Sequence, residues 1–283
     1  MDKIYLKARA KINLTLNVLN KREDNYHNIE SVFQKISLYD ELYIEKNDEN
    51  KLILKSNWKD LENDNNIISK TYNKLKNLYP SISGVTVTLI KHIPMQAGLG
   101  GGSTDCASFI KGLNKLFSLN LTESDLINIG KTLGADVVPC MYNLVKSEGI
   151  GDIVTPYPSS KYYVLVIKPS FSCNTKLMYE KLDSEKSLKQ EYYTNDVLDI
   201  LNKNDIPALK NKLYNVFEYA IDEKETLQNI KHDLINTGAI SSLLSGSGSC
   251  IFGIYDSKET LNNSYNKLKN KYNYEIYRCV SCK

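Results

Sequence analysis

From Ile12 to Val18 apolar and polar residues alternate strictly, with Ile12, Leu14, Leu16 and Val18 on one face and Asn13, Thr15 and Asn17 on the other. That period of two predicts a strand, with residues 5–10 pairing before it. An extended run over 29–36 follows, then short strands at 41–45 and 52–55 that read as a meander. Ile68, Tyr72, Leu75 and Tyr79 recur at helical spacing and predict a helix over 66–79. Asp64 or Asn65 is placed to cap it, and Pro80 stops it. Residues 84–91 alternate again, with Val85, Val87 and Leu89 on one face. Cys106, Ile110, Leu113 and Phe117 then mark a helix whose start falls at Ser103, Thr104 or Asp105, all good cap types. Thr122 and Asp125 approximate a capping box for a third helix, which ends at Gly130 or Gly134.

A composition shift near 156–161 suggests a boundary between a domain over 1–157 and a second over 158–283. The second opens with an apolar strand over 162–168, ended by Pro169, and a helix that starts in 172–179. Helices over 191–202, 206–219 and 223–236 follow, the last with Leu227, Ile230 and Leu234 as its buried stripe. Two short strands flank the glycine turn in 242–253. A helix carrying Leu261, Tyr265 and Leu268 and a strand over 274–280 close the chain. The fold class is therefore α+β, and the β-α-α-β-β-α-β order of the second half is compatible with a ferredoxin-like split βαβ carrying extra helices.

The chain has 283 residues, 42% hydrophobic and 24% charged, as in globular proteins. A net charge of +3 is too small to imply a nucleic-acid or membrane surface. The N-terminal stretch MDKIYLKARAKINL carries charges throughout and has no apolar signal core, and no apolar run is long enough to span a bilayer. Six cysteines without a signal peptide read as reduced thiols, so the expected compartment is the cytoplasm. Cys279 and Cys282 form a lone C-x-x-C, and His27, His92 and His232 do not supply a second ligand pair at a recognisable spacing, so no metal site is expected.

The candidate chemistry centres on residues 94–108, PMQAGLGGGSTDCAS, between the predicted strand and helix. Glycines let the backbone approach a ligand closely, and the first N–H groups of a helix lack intrahelical partners and sit at the positive end of its dipole. Strand, glycine loop and helix N-terminus together make an anion site suited to phosphate. The loop lacks the Gly-Lys-Ser/Thr of a Walker A loop, and it misses the Gly-x-Gly-x-x-Gly dinucleotide fingerprint. Asp136 stands in Gly134-Ala135-Asp136-Val137-Val138-Pro139, a carboxylate in apolar company that reads either as the cap of a short helix or as a buried general base. Lys11 on the polar face of the first strand reads either as a solvated edge charge or as a group facing a cleft.

Pro94-Met95-Gln96-Ala97-Gly98-Leu99-Gly100-Gly101-Gly102-Ser103-Thr104 resembles the phosphate-binding motif of the GHMP kinases. The triple glycine is similar to that of the family branch serving the non-mevalonate route to isoprenoid precursors. Ala10-Lys11-Ile12-Asn13-Leu14, Tyr26-His27, Gly134 to Pro139 and Ser245-Gly246-Ser247-Gly248-Ser249 resemble further motifs of that branch, in the same order. The resemblance implies a two-domain GHMP kinase fold, with a ribosomal-protein-like N-terminal and a ferredoxin-like C-terminal domain and the active site in the cleft between them. It implies ATP as cosubstrate, Mg2+ without dedicated carboxylate ligands and with Ser103 or Thr104 as the best protein ligand, and a cytidylyl-linked sugar alcohol phosphorylated on its 2-hydroxyl. It further implies Asp136 as base with Lys11 beside it, and residues 94–104 with Asn66 and Lys91 at the nucleotide. Asn13, Tyr26, His27, Tyr179 and Gly246 fall at the substrate, with the histidine and the aromatic at 179 closing a cytosine pocket from opposite sides. Asn25 replaces the usual glycine before Tyr26, and an extra valine displaces Pro139 by one. Neither nucleic acid nor membrane is an expected partner, and the protein is expected to be a monomer or weak homodimer. Two rivals remain: a homoserine- or mevalonate-type kinase of the same family, against which Tyr26-His27 and the triple glycine argue, and a non-enzymatic RNA-binding module, against which the near-neutral charge argues.

Overall fold

The computed structural model describes residues 1–185 and 190–283. The chain forms two compact units that interleave along the sequence. Met1–Ala10, Leu38–Ile93 and Gly100–Met141 make the first; Lys11–Ser37, Pro94–Leu99 and Tyr142–Lys283 make the second. The boundary expected near residue 157 lies inside the second unit's last segment.

The pairs of short strands expected at the N-terminus are long single strands, β1 (Lys3–Lys21) and β2 (His27–Asn47), and each contributes to both units. β3 (Leu52–Ser56), α1 (Ile67–Leu78), β4 (Gly84–Ile90), α2 (Gly101–Leu116) and α3 (Glu123–Lys131) complete the first unit. Its strands run in the order β3-β4-β2-β1. β4 lies antiparallel to β2 and parallel to β3, so the expected meander is replaced by a crossover through α1. The crossover places α1 over the sheet, and Ile68, Tyr72 and Leu75 are buried with Val85, Val87 and Leu89 of β4. Asn66, not Asp64 or Asn65, caps α1 by accepting from the Ile68 amide at 2.8 Å. The Thr122–Asp125 capping box of α3 is present in both directions.

In the second unit β5 (Leu144–Glu148) pairs with β2 and with β6 (Ile153–Pro156). β7 (Tyr163–Lys168), α4 (Thr175–Ser184) and α5 (Thr194–Asn202) follow. The helix expected over 206–219 does not form. Two 3₁₀ turns, Ile206–Leu209 and Val216–Tyr219, flank the two-residue strand β8 (Tyr214–Asn215), which pairs in parallel with Thr15 and Leu16 of β1. Pro207 and the positive φ of Asn211 (60°) break the helical run, and pairing to β1 overrides the local pattern. Then come α6 (Lys224–Asn236), β9 (Ser241–Leu244), β10 (Ile251–Tyr255), α7 (Lys258–Lys271) and β11 (Glu275–Val280). The order β11-β7-β10-β9, antiparallel throughout, matches the ferredoxin-like layout expected of this half. Leu227, Ile230 and Leu234 of α6 are buried with Leu165, Ile167, Leu244 and Ile251 in one apolar core.

Candidate active site

The glycine segment is fixed by its own carbonyls. In the second unit Ala97 O accepts from the Cys250 amide at 3.1 Å, Gly98 O from Ser245 Oγ at 3.0 Å, and Leu99 O from the Lys11 amide at 3.0 Å. The 94–99 stretch is therefore tied to β1 on one side and to the turn between β9 and β10 on the other, and Met95 and Gln96 remain exposed. Gly98 has φ +74°, and a Cβ there would stand 1.9 Å from the Ser245 carbonyl oxygen, so no other residue fits. Gly246 belongs to the same contact, and a Cβ on it would lie 3.3 Å from Lys11 Nζ.

In the first unit α2 begins at Gly101, earlier than expected, with Gly100 as a left-handed N-cap at φ 67° that makes no side-chain bond. Ser103, Thr104 and Asp105 thus lie inside the first turns. The amide of Thr104 makes the first helical bond, to Gly100 O at 2.9 Å. The amides of Gly101, Gly102 and Ser103 precede it and have no intrahelical acceptor, which makes this end receptive to an anion. The Thr104 hydroxyl donates to Arg9 O at 2.7 Å and is buried, whereas Ser103 keeps partial exposure.

Beneath that helix start lies a buried ion cluster. Lys91 Nζ bonds Asp105 Oδ2 at 2.6 Å and also Asp40 Oδ2. Asp40 Oδ1 accepts the amides of His92 and Ile93 at 2.6 and 2.8 Å. Burial pushes the Asp105 carboxyl up to about 8 despite the opposing Lys91 charge, and Asp40 adds to the rise. Burial works against the Lys91 charge, but Asp105 and Asp40 outweigh it and hold its pKa above the ordinary lysine value. Lys91 is thus committed to two carboxylates, and a Cβ on Gly101 would lie 3.3 Å from its Nζ. Both amide atoms of Asn66 are used as well, one in the cap and one donating to Leu61 O at 2.8 Å. Asp136 is half-buried in a turn, its carbonyl accepting from the Cys140 amide at 3.2 Å, and the flanking Val137 and Val138 are fully enclosed.

The polar face of β1 is not solvated. Lys11, Asn13, Thr15 and Asn17 are all buried. Lys11 Nζ donates to Asn13 Oδ1 at 2.7 Å and lies 4.8 Å from the centroid of the Phe33 ring. Asn13 Nδ2 donates to Ser31 Oγ at 2.8 Å, and Ser31 Oγ donates to Thr15 O. A lysine at 4% exposure whose ammonium is held by an amide and a ring is positioned, unlike an edge charge that moves in water.

At the far end of β1 the turn over 22–26 is closed by the Arg22 amide to Tyr26 O at 2.8 Å, with Asn25 at φ 64°, so asparagine takes the conformation usual for glycine. Tyr26 is 57% exposed, while His27 is buried. Tyr179 of α4 lies directly on the His27 ring, centroids 4.8 Å apart and planes 18° from parallel. The two rings therefore touch and leave no layer for a base between them. His27 Nε2 is 2.6 Å from Asp183 Oδ1, a partner the motifs do not mark. Its place four residues after Tyr179, on the same helix face, is the signal the sequence offers. Asp40 and Asp105 carry no such signal, because they meet Lys91 from distant parts of the chain.

The GHMP kinases N terminal domain model matches residues 66–143, and the GHMP kinases C terminal model matches residues 197–273. The chain belongs to the GHMP kinase family. Within it, the chain is 38% identical over 275 residues to the 4-diphosphocytidyl-2-C-methyl-D-erythritol kinase of Acetivibrio thermocellus, covering 95% of this chain and 96% of that protein. It is 37% identical over 265 residues to the kinase of the same name from Lachnospira eligens, covering 92% of each. A crystal structure of 4-(cytidine 5'-diphospho)-2C-methyl-D-erythritol kinase superposes with a TM-score of 0.84 at 24% identity, over 99% of this chain and 100% of that one. Homoserine kinase from Cytophaga hutchinsonii shares the fold at a TM-score of 0.77 and 18% identity, over 100% of this chain and 95% of that one. Among the described residues no helix is long and apolar enough to cross a membrane.

Proposed function

We propose that this protein transfers the γ-phosphoryl group of ATP to the 2-hydroxyl of 4-diphosphocytidyl-2-C-methyl-D-erythritol, a step in the synthesis of isoprenoid precursors. The observation that carries this reading is the end-to-end identity of 34–38% with kinases of that name, over 92–96% of the chain. Phosphoryl transfer asks a protein mainly for positioning and charge stabilisation. The amides at the start of α2, which lack intrahelical acceptors, hold the β- and γ-phosphates. Asp136 accepts the proton of the attacking hydroxyl, and Lys11, held by Asn13 and the Phe33 ring, offsets charge on the transferring group. Asn13, which holds the Lys11 ammonium, and Gly246 face the substrate, while Tyr26, His27 and Tyr179 receive its cytidine end. Because the Tyr179 and His27 rings are in contact, the base meets their edges, or Tyr179 swings away as it enters. Lys91 and Asn66 act from behind, one supporting α2 and the other capping α1.

Among the described residues no three His, Cys, Asp or Glu side chains gather to hold a metal ion. The Ser103 hydroxyl at the start of α2 is the protein group that would stand beside a magnesium ion brought in with ATP. When bound, that ion neutralises phosphate charge. The protein works as a monomer or weak homodimer in the cytoplasm.

Asp136→Asn tests the chemistry. Turnover of the cytidylyl substrate should fall by roughly three orders of magnitude or more while ATP binding stays nearly intact. Turnover within about tenfold of the parent would remove Asp136 as the base.

A further inference from the structure

One helix grips the His27 ring on two sides. Tyr179 and Asp183 are one turn apart on α4 and share a face. Tyr179 covers the face of the imidazole and is itself held edge-on by Phe217, centroids 4.9 Å apart at 88°. Asp183 takes the edge. Its Oδ1 meets His27 Nε2 at 2.6 Å, and its Oδ2 meets Lys21 Nζ at 2.7 Å. Burial opposes the Asp183 charge, but Lys21 and His27 outweigh it and hold the carboxyl below its ordinary value. An ionised carboxylate can only accept, so the ring nitrogen facing it must carry the hydrogen. In the neutral imidazole the other nitrogen, Nδ1, is then bare and can only accept. The Lys21 pair is half exposed and contributes little to stability. The His27 side chain is only 7% exposed, so its orientation is set by these partners and not by water.

We infer that Asp183 is a positioning residue that locks His27 in the Nε2–H tautomer, so that Nδ1 selects cytosine over uracil. The inference rests on the reading of His27 as part of the pyrimidine pocket. At ring position 4 cytosine presents an amine that donates, and uracil presents an oxygen that accepts. A bare Nδ1 bonds the first and faces the second lone pair to lone pair. A site built to bond one group rejects the analogue that leaves its polar atom unpaired.

Asp183→Asn keeps the size of the side chain but offers an N–H to Nε2, which moves the ring hydrogen to Nδ1, as an amide does when it replaces the carboxylate that orients the histidine of a serine protease. Three measurements decide the matter. Long-range ¹H–¹⁵N correlation on the parent should show His27 protonated at Nε2 alone, and in the variant at Nδ1. The variant should raise KM for the cytidylyl substrate about tenfold, leave KM for ATP within about twofold, and cut the preference over the uridylyl analogue by about tenfold. His27→Ala should raise the same KM. An Nδ1–H tautomer in the parent overturns the inference, and needs no variant to be seen. An unchanged base preference in Asp183→Asn, with KM raised in His27→Ala, overturns it while sparing the pocket. An unchanged KM in His27→Ala overturns the pocket reading and this inference with it.

Discussion

Asp105, Lys91 and Asp40 carry two potential negative charges and one positive charge in a space closed to water. Asp105 Oδ1 has no hydrogen-bond partner there, so an ionised Asp105 leaves an uncompensated oxygen. The consequence for stability has a definite sign. A carboxyl whose folded pKa stands above its unfolded value contributes stability below the unfolded pKa and loses it as pH rises through the folded one. For Asp105 that window runs from its ordinary 3.8 to about 8. Urea unfolding at intervals from acid to mildly alkaline pH should show the parent losing stability relative to Asp105→Asn across that window. Parallel profiles for the two proteins would show that Asp105 is not held protonated by its surroundings. The family resemblance alone puts Lys91 at the nucleotide. Its carboxylate partners are invisible in the sequence, since residues 40 and 105 carry no local mark of their meeting.

The glycines of the loop are equivalent in the sequence and unequal in the structure. Gly98 has a positive φ and no room for a Cβ, whereas a Cβ on Gly102 would meet nothing within 4 Å. Gly98→Ala should therefore destabilise the protein by about 2 kcal/mol or more. Gly102→Ala, at a helical position, should be neutral or stabilise by up to about 1 kcal/mol. Thermal unfolding of the two variants checks this, and equal shifts would contradict the placement of the 245–250 turn against Gly98. Other elements are legible where periodicity and capping act alone: α3 with its box, α6 with its stripe, and β7, β9, β10 and β11. Local pattern fails where a distant partner decides. Residues 206–219 have a helical pattern, but β8 pairs with β1 there. The start of α2 escapes it because a left-handed glycine, not a side-chain oxygen, caps the helix.

At the scale of the molecule, the order of elements in the second half is enough to expect the ferredoxin-like sheet, and the separated motifs are enough to expect the family. The interleaving of the two units is not legible, because β1 and β2 run unbroken through both and nothing in their alternation marks the change. Lys11 shows the same limit. Its pattern leaves a solvated charge and a cleft residue both open, and its burial beside Asn13 and Phe33 removes the first. This kinase should act on the cytidylyl-linked alcohol and not on the substrates of other kinases that share its fold. ADP release by the purified protein, with ATP and magnesium, should be measured on 4-diphosphocytidyl-2-C-methyl-D-erythritol beside mevalonate, homoserine and galactose. Turnover on the cytidylyl compound alone is the predicted result; turnover on one of the others in its place, or on none of the four, would contradict the account.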